Sequence, residues 1–309
     1  MIKQIPFLMM LLFAVSCTKN NSSDMLMFES KGLKRNYYIY LPKTLKEGSP
    51  LVFVLHGLGG TAKGIREYSQ MDKVADKYGF AVCYPQGTGG SMDTKYTKKG
   101  TNFWNVGYDV HKNETVDDVD FLTYLALFLQ DKYNLDSEKT YCTGMSNGGD
   151  MSYLLGCNSP NIFKAIAPIT GCMMGWIYDS CNENNPVPVF QVHGTADNTT
   201  YYEGDEDNSD KWGAYMGVER TIKHWVDRNN CTDVVVDTLP DIDPDDGSIV
   251  ITHKYSSSME NGNQVWFYKV INGDHEWPPG WPEKSGNGDL NTSEEIWKFF
   301  QEDIENRGL

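Results

Sequence analysis

The sequence predicts an α/β fold in one domain, with a mostly parallel central sheet and helices on both of its faces. At 309 residues the chain can bury a substantial core, and it shows no repeat or break in composition. Short continuous apolar runs, typical of strands covered on both faces, alternate with segments of helical spacing. This alternation indicates βαβ units with right-handed crossovers. We therefore expect one domain over residues 29–309.

The individual elements follow from the same two patterns. Apolar and β-branched runs predict strands, and apolar residues at i, i+3 and i+4 predict helices. The predicted strands are 33–41, 50–55, 80–84, 139–143, 165–169, 187–192, 249–255 and 264–270. The predicted helices are 62–77, 116–133, 149–155, 211–228 and 293–304.

Two long segments follow neither pattern. Residues 86–113 are rich in Gly, Thr and Lys, and residues 199–210 are acidic and polar. Long loops at the carboxyl ends of parallel strands are where ligands bind. We predict that 199–210 is a solvated, mobile loop rather than a calcium site, since it lacks EF-hand spacing.

The first residues follow the pattern of a secretory signal peptide. A lysine is followed by an apolar run over 5–15, which is too short to span a bilayer, and by a small residue. Cys17 directly follows Ala-Val-Ser, which resembles a bacterial lipoprotein signal whose cysteine carries the lipid. The alanine of this Ala-Val-Ser stretch occupies the position where lipoprotein signals usually have leucine. Cleavage of the signal without lipidation of Cys17 is therefore the alternative. We expect a signal over 1–17, a polar tether over 18–28, and export to the outer membrane or cell surface, otherwise to the periplasm or medium.

The charge excludes some partners. The formal net charge is −15, from 27 basic and 42 acidic side chains. An acidic surface repels phosphate groups, so neither nucleic acid nor an anionic membrane is expected as a partner. Membrane contact is expected only through a lipid on Cys17.

The other cysteines predict one disulfide and no metal site. Cys83 and Cys142 lie in predicted core strands and are expected to be buried thiols, whereas export permits disulfides elsewhere. The sequence has no C-x-x-C pair, so zinc is not expected, and no metal or cofactor is predicted. One bridge is expected among Cys157, Cys172 and Cys181, and the connectivity, including Cys231, is left open.

The stretch Gly144-Met145-Ser146-Asn147-Gly148 carries the strongest chemical signal. It has the form G-x-S-x-G and lies between a predicted strand and a predicted helix, the setting of a nucleophile elbow. Small flanking residues allow a turn tight enough to project the serine Oγ from the sheet. The following helix N-terminus aims backbone amides at the reacting carbonyl. Ser146 is the predicted nucleophile.

A serine nucleophile needs a base, and the base needs an acid to orient it. In the α/β-hydrolase chain order the acid follows the serine and the histidine comes last. Asp197 comes just after the strand 187–192, at the same sheet edge as the elbow, and is the predicted acid. Its competitors, which lie deeper in the polar loop, are Asp205, Asp207 and Asp210.

His275 is the predicted base, because it lies in a loop after the last strand. His224 falls on a predicted helix and His253 in a β-rich run, so structural or exposed roles are expected for both. His56 and His193 end strands just before glycines and are expected to support the loop backbone.

The oxyanion hole requires two amides aimed at one point. One is expected from Asn147, the residue after the nucleophile. The other is expected from the loop after the strand 50–55, with the Leu58 amide as first candidate and Gly59 as the alternative.

The motifs together resemble secreted esterases of the feruloyl esterase and polyhydroxybutyrate depolymerase group, carbohydrate esterase family one of the α/β-hydrolases. The resemblance covers about residues 30–305 and implies an α/β-hydrolase fold, a Ser146–Asp197–His275 triad and a cleft lined near Trp104. The sequence departs from the usual pattern at 203–210 and 279–282, which leaves the substrate in doubt. The motifs that carry the resemblance are LHGLGG, YPQG, FWN, DDVDFL, TGMSNGG, FKAIAPITG, PVFQVHGTAD and GDHEWPPGWP.

We therefore expect a serine esterase acting on plant cell-wall esters, first a feruloyl esterase on feruloylated xylan or arabinoxylan. The alternatives are an acetylxylan esterase or a polyhydroxyalkanoate depolymerase, then a peptidase or a non-enzymatic glycan-binding protein. The expected partner is a feruloylated or acetylated polysaccharide or oligosaccharide. Aromatic residues expected to stack on a sugar or phenolic ring are Trp104, Tyr108, Trp277 and Trp281.

Overall fold

A ten-stranded sheet forms the centre of the protein. The structure is a computed structural model that describes residues 24–91, 93, 97–181, 186–258, 263–280 and 286–309. Its strands are β1 Leu26–Ser30, β2 Leu33–Tyr40, β3 Leu51–Leu55, β4 Ala81–Pro85, β5 Thr88–Gly89, β6 Asn102–Phe103, β7 Thr140–Met145, β8 Ala165–Ile169, β9 Val189–Gly194, β10 Asp233–Thr238, β11 Ile249–Ser256 and β12 Gln264–Ile271.

The strand order is β1-β2-β4-β3-β7-β8-β9-β12-β11-β10. The strands from β4 to β12 in this order pair in parallel, whereas β1 with β2 and β11 with β10 add antiparallel edges. Strands β5 and β6 form a separate small ribbon. The parallel strands β3, β4, β7, β8 and β9 are buried along their whole length, apart from partly exposed Met145, as expected for strands covered on both faces.

Helices cover both faces of this sheet and form two apolar cores. Side-chain caps start several of them: Thr61 accepts from Gly64 N, Asp117 from Asp120 N, and Asn291 from Glu294 N. The predicted α/β fold is therefore confirmed. No helix among the described residues is long and apolar enough to cross a membrane. The helices are α1 Ala62–Ser69, α2 Met71–Tyr78, α3 Asp118–Tyr133, α4 Asn147–Asn158, α5 Gly175–Ser180, α6 Val218–Arg228 and α7 Thr292–Asn306.

Three of the differences between the predicted and observed boundaries have a clear structural cause. The helix predicted over 62–77 is two helices, because Gln70 adopts a left-handed conformation with φ 52° that ends α1. The helix predicted over 211–228 begins only at Val218, since Tyr215 makes bridges to Met174 and Asp205 instead. Strand β1 begins at Leu26, so the end of the predicted tether belongs to the sheet.

One disulfide joins Cys157, at the end of α4, to Cys181, just after α5. Cys83 and Cys142 are buried free thiols, as predicted, and Cys172 and Cys231 are also free. The prediction of one bridge among the loop cysteines is confirmed.

We expect the double substitution Cys157→Ala/Cys181→Ala to lower the free energy of unfolding by about 3 kcal/mol. The bridge spans a sequence separation of 24 residues and restricts that loop in the unfolded chain. Urea unfolding measures the effect, and Cys231→Ala, which removes a half-buried free thiol, is the control. Equal stability of the double variant and wild type would contradict the prediction.

Helix α4 carries a fully buried carboxyl group, Asp150. Its Oδ1 accepts from Cys172 N at 2.6 Å, and its Oδ2 accepts from the Tyr108 hydroxyl. Burial raises the pKa of Asp150 to about 6, although the hydrogen bonds from Tyr108 and Cys172 oppose that rise. The protonated form is therefore more favourable in the folded than in the unfolded chain.

Because the folded pKa is raised, Asp150 stabilises the fold below about pH 4, and this contribution is lost as pH rises through about 6. Asp150→Asn removes the titration and keeps an acceptor for Cys172 N. Its stability relative to wild type should thus increase by roughly 3 kcal/mol between pH 4 and pH 7. Urea unfolding across this range measures the difference, and a difference independent of pH would contradict the prediction.

Candidate active site

Ser146 occupies the sharp turn between β7 and α4. Its backbone has φ 55° and ψ −123°, which residues other than glycine rarely adopt. The turn fits because glycines flank it: a Cβ on Gly144 would lie 2.5 Å from Gly148 O, and one on Gly148 would lie 2.5 Å from Leu55 O. Ser146 N donates to Ile169 O at 2.9 Å, which ties the turn to the end of β8. The strand–turn–helix arrangement predicted from the motif is present.

The predicted acid and base come from loops after two neighbouring parallel strands, β9 and β12. His275 Nδ1 lies 2.8 Å from Asp197 Oδ2. Because an ionised carboxylate only accepts, Nδ1 carries the proton and Nε2 is left as the basic atom. Ser146 and His275 line the same cavity. Ser146 Oγ makes no hydrogen bond within the described residues, and such catalytic bonds often tighten only around a bound substrate.

Asp197 is held as a buried anion. Burial alone would raise the pKa of its carboxyl, but hydrogen bonds from His193 and His275 outweigh burial and hold the pKa well below its usual range. Its Oδ1 also accepts from Thr199 N and Thr200 N, each at 2.8 Å. The carboxylate is thus ionised at neutral pH and oriented by hydrogen bonds from Thr199 N, Thr200 N and His275 Nδ1.

The competing acids of the sequence prediction have other partners. Asp205 accepts from Ser209 N at 2.7 Å and from Asp210 N at 3.0 Å, which shapes the loop itself. Asp210 lines the cavity, but its Oδ2 accepts from the Tyr201 hydroxyl at 2.6 Å. Among these acids the structure pairs Asp197 with His275.

The two amides predicted for the oxyanion hole lie on either side of the elbow. Asn147 is the first residue of α4, so its amide belongs to the helix N-terminus. In the facing loop Gly59 N donates to Asn102 O at 2.7 Å, whereas Leu58 lines the cavity. The alternative assignment to Gly59 is therefore wrong, because its amide is already engaged, and Leu58 remains the candidate.

His56 supports this loop, as predicted. Its Nδ1 donates to Gly57 O at 2.8 Å, and its Nε2 accepts from Gly87 N at 2.9 Å. Burial lowers the pKa of His56 to about 4, so the ring is neutral at the pH of the reaction. His193 likewise contacts a loop carbonyl, Thr200 O, at 2.9 Å.

Two tryptophans predicted to line the cleft are buried instead. Trp104 Nε1 donates to His56 O at 2.9 Å, and its backbone N and O bind the Asn147 side chain. Trp277 Nε1 donates to Ser293 Oγ at 3.0 Å inside the core beneath α7. Both assignments to the substrate surface are wrong, because neither ring reaches the cavity. Trp281 and Cys17 lie outside the described residues.

A cavity of about 530 Å³ opens onto Ser146 and His275. The prediction of Tyr108 on its wall is consistent with the structure, but most of the wall comes from the segment 198–215. The sequence predicts this segment as a solvated loop followed by the start of a helix, not as part of the binding cavity. Its aromatic residues are the sequence feature that could have indicated a cavity wall. The remaining lining residues are Leu58, Cys172, Met174, Asn198, Thr199, Thr200, Tyr201, Asp210, Trp212 and Tyr215.

The described part of the chain contains no group of three or more His, Cys, Asp or Glu side chains that could hold a metal ion. The acids and histidines around the cavity are instead paired with one another or with backbone groups.

Sequence comparison supports the resemblance. The family model described as esterase PHB depolymerase matches residues 35–187. A bifunctional acetylxylan esterase/xylanase of Neocallimastix patriciarum is 28% identical over 173 residues, which cover 56% of this chain and 23% of that protein. Feruloyl esterase B of Piromyces equi is 29% identical over 190 residues, covering 60% of this chain and 33% of that protein. The chain thus spans a third or less of the length of these relatives.

Solved structures agree on the fold. An acetyl xylan esterase from Aspergillus awamori superposes with a TM-score of 0.56 at 17% identity, covering 86% of this chain and 94% of that one. An S-formylglutathione hydrolase from Agrobacterium tumefaciens gives a TM-score of 0.58 at 13% identity, covering 91% and 94%. The chain has the α/β-hydrolase fold, and over residues 35–187 its sequence is similar to the esterase PHB depolymerase family.

Proposed function

We propose that this protein is a serine carboxylic ester hydrolase that acts on esters of plant cell-wall xylan. The observation that carries the proposal is the placement of Ser146 and His275 on one cavity, with Asp197 hydrogen-bonded to His275. Nucleophile, orienting acid and base follow one another in the chain order of α/β-hydrolases. The curated relatives are named as acetylxylan and feruloyl esterases, which supports the same class of substrate.

In the proposed reaction Ser146 Oγ attacks the ester carbonyl carbon while its proton passes to His275 Nε2. The Leu58 and Asn147 amides bind the oxyanion of the tetrahedral intermediate. The intermediate collapses, and His275 returns the proton to the leaving alcohol, which leaves an acyl group on Ser146. Water then attacks the acyl carbon, gives its proton to His275, and the acid is released as Ser146 recovers that proton.

Asp197 contributes through charge and orientation. As a buried carboxylate it holds the Nδ1–H tautomer of His275 and stabilises the imidazolium that forms in each half-reaction. No further acid or metal is needed for these steps.

The cavity favours an aromatic acyl group. Tyr108, Trp212 and Tyr215 provide ring surface, and the volume of about 530 Å³ exceeds what an acetyl group needs. We therefore propose feruloyl esters of xylan or arabinoxylan as the first substrate. Acetylated xylan is the second candidate, because curated relatives carry that name.

We also propose that the protein is exported and tethered by a lipid on Cys17. The Cys157–Cys181 disulfide supports an oxidising compartment. Radiolabelled palmitate in the producing cell tests the anchor, with Cys17→Ser as the variant that should lose both label and membrane association.

We expect Ser146→Ala to lower kcat on methyl ferulate by roughly 10³-fold or more while leaving thermal unfolding unchanged, because the variant loses the nucleophile and no core contact. Asp197→Asn should cost roughly 10³–10⁴-fold, because the amide favours the wrong tautomer of His275. Asp205→Asn is the matched control. Full activity of Ser146→Ala, or a larger loss in the control than in Asp197→Asn, would contradict the assignment.

We expect Trp212→Ala to raise KM for methyl ferulate about tenfold with little change in kcat, since the lost ring contact serves binding rather than the chemical step. KM for an acetylated xylo-oligosaccharide should change much less. Trp176→Ala is the control, because Trp176 is exposed and does not line the cavity. Equal effects on both substrates, or wild-type hydrolysis confined to the acetyl ester, polyhydroxybutyrate film or a peptide amide, would exclude the feruloyl assignment.

A further inference from the structure

The triad acid lies between two histidines. Oδ2 of Asp197 is 2.8 Å from His275 Nδ1 and 3.4 Å from His193 Nε2. Both rings can bear a proton, and the carboxylate attracts an imidazolium on either side. A positive charge on His193 would compete for the anion that has to stabilise the imidazolium of His275. The arrangement therefore works only if His193 stays neutral.

Gln191 fixes the proton on His193. The amide Nε2 of Gln191 lies 3.1 Å from Gly171 O and 3.1 Å from His193 Nδ1. A carbonyl oxygen only accepts, so this atom is the amide nitrogen, and its second N–H points at His193 Nδ1. His193 Nδ1 therefore accepts, and Nε2 carries the only ring proton.

The other side of the His193 ring requires the same tautomer. Its Nε2 lies 2.9 Å from Thr200 O, which also only accepts. Protonation of Nδ1 would place a donor against the Gln191 donor, and an inverted amide would place its oxygen against Gly171 O. The Tyr153 hydroxyl donates to Gln191 Oε1 on the other side of the amide.

Given the proposed hydrolase reaction, we propose that Gln191 is a positioning residue that holds His193 neutral, so that His275 alone carries the catalytic proton. The proton that leaves Ser146 Oγ passes to His275 Nε2 and returns from there, and His193 neither gains nor loses one. His193 acts as a neutral N–H donor directed at the Thr200 carbonyl and the Asp197 carboxylate.

Other titratable groups surround His193. Its register partner on β12 is Lys269, which is paired with Glu219 of α6. The Tyr202 ring meets His193 edge-on, and burial raises the pKa of Tyr202. Burial also raises the pKa of Cys172, and it raises the pKa of Asp150 to about 6. All of these groups are present in every variant below.

The decisive variant is Gln191→Met, which removes the N–H facing His193 without adding a charge and leaves Nδ1 free to accept a proton. We expect kcat/KM for methyl ferulate to fall about tenfold, and the midpoint of the acid limb of its pH profile to move down by roughly one pH unit, because an imidazolium at His193 disfavours a second one at His275. In Gln191→Met/His193→Gln the second ionisable ring is absent and no charge has been added, so the midpoint should return to the wild-type value.

The matched control is Tyr153→Phe, which removes the hydrogen bond to Gln191 Oε1 and leaves the side of the amide that faces His193 intact. Its stability should fall while the midpoint stays within about 0.2 pH unit of wild type. A shift in Tyr153→Phe equal to that in Gln191→Met, or failure of the double variant to restore the midpoint, would overturn the proposal.

A second readout needs no substrate. The chain has six histidines, so ¹⁵N-histidine labelling of the full protein gives an assignable spectrum from pH 5 to pH 9. In wild type His193 should carry its proton on Nε2, with Nδ1 as an acceptor, and in Gln191→Met its Nδ1 should also bind a proton. A proton on Nδ1 of His193 in wild type, or none there in Gln191→Met, refutes the proposal. The spectra test the protonation of His193 independently of the Ser146→Ala experiment, which tests whether the protein is an esterase.

Discussion

The structure depends on keeping one carboxylate ionised where water does not reach it. The side chain of Asp197 is fully buried, and an isolated charge there would be strongly unfavourable. Two backbone amides of its own loop and two imidazole N–H groups compensate for the lost water. This requirement fixes the conformation of the loop after β9. It also brings the loop after β12 to the same point, because His275 is one of the donors.

The same edge of the sheet is stiffened by polar contacts that never reach the substrate. Trp104 connects the elbow to the facing loop. The Asn147 side chain binds the backbone of Trp104, and the Trp104 indole donates to His56 O. His56 in turn fixes Gly57 and Gly87. The two backbone segments that provide Leu58 and Asn147 are thus joined by side-chain hydrogen bonds. An oxyanion hole stabilises a developing charge best when its donors are held in place beforehand.

Much of the fold and the catalytic residues could be predicted from the sequence, because they depend on local patterns. Buried parallel strands leave continuous apolar runs, and the elbow needs glycines at fixed spacing, so β3, β7, β8 and β9 and the position of Ser146 were all predicted. The chain order then indicated Asp197 and His275. The disulfide could be limited to a few cysteines but not assigned, because pairing depends on how α4 and α5 meet in space.

What could not be predicted depends on tertiary context. The break at Gln70 results from a left-handed residue within an otherwise helical pattern. Trp104 and Trp277 are of a residue type that is common on binding surfaces, but both are buried. Their indole N–H groups donate to partners in the interior, and the sequence does not show these partners. The segment 198–215 has the charge of a solvated loop. Tyr215 nevertheless faces inward, because its backbone is bridged to Met174 and Asp205, whereas Tyr201 is exposed.

That segment serves both chemistry and recognition in this fold. The cavity wall comes largely from the excursion between β9 and α6, and the same excursion contains Asp197. The Thr199 and Thr200 amides donate to Asp197, so only a change that keeps these two contacts can alter the space beside Ser146 and leave the geometry of Asp197 intact. The acidic stretch 203–210 lies within the same excursion but outside these contacts, so a change there can alter substrate preference while the catalytic arrangement is kept.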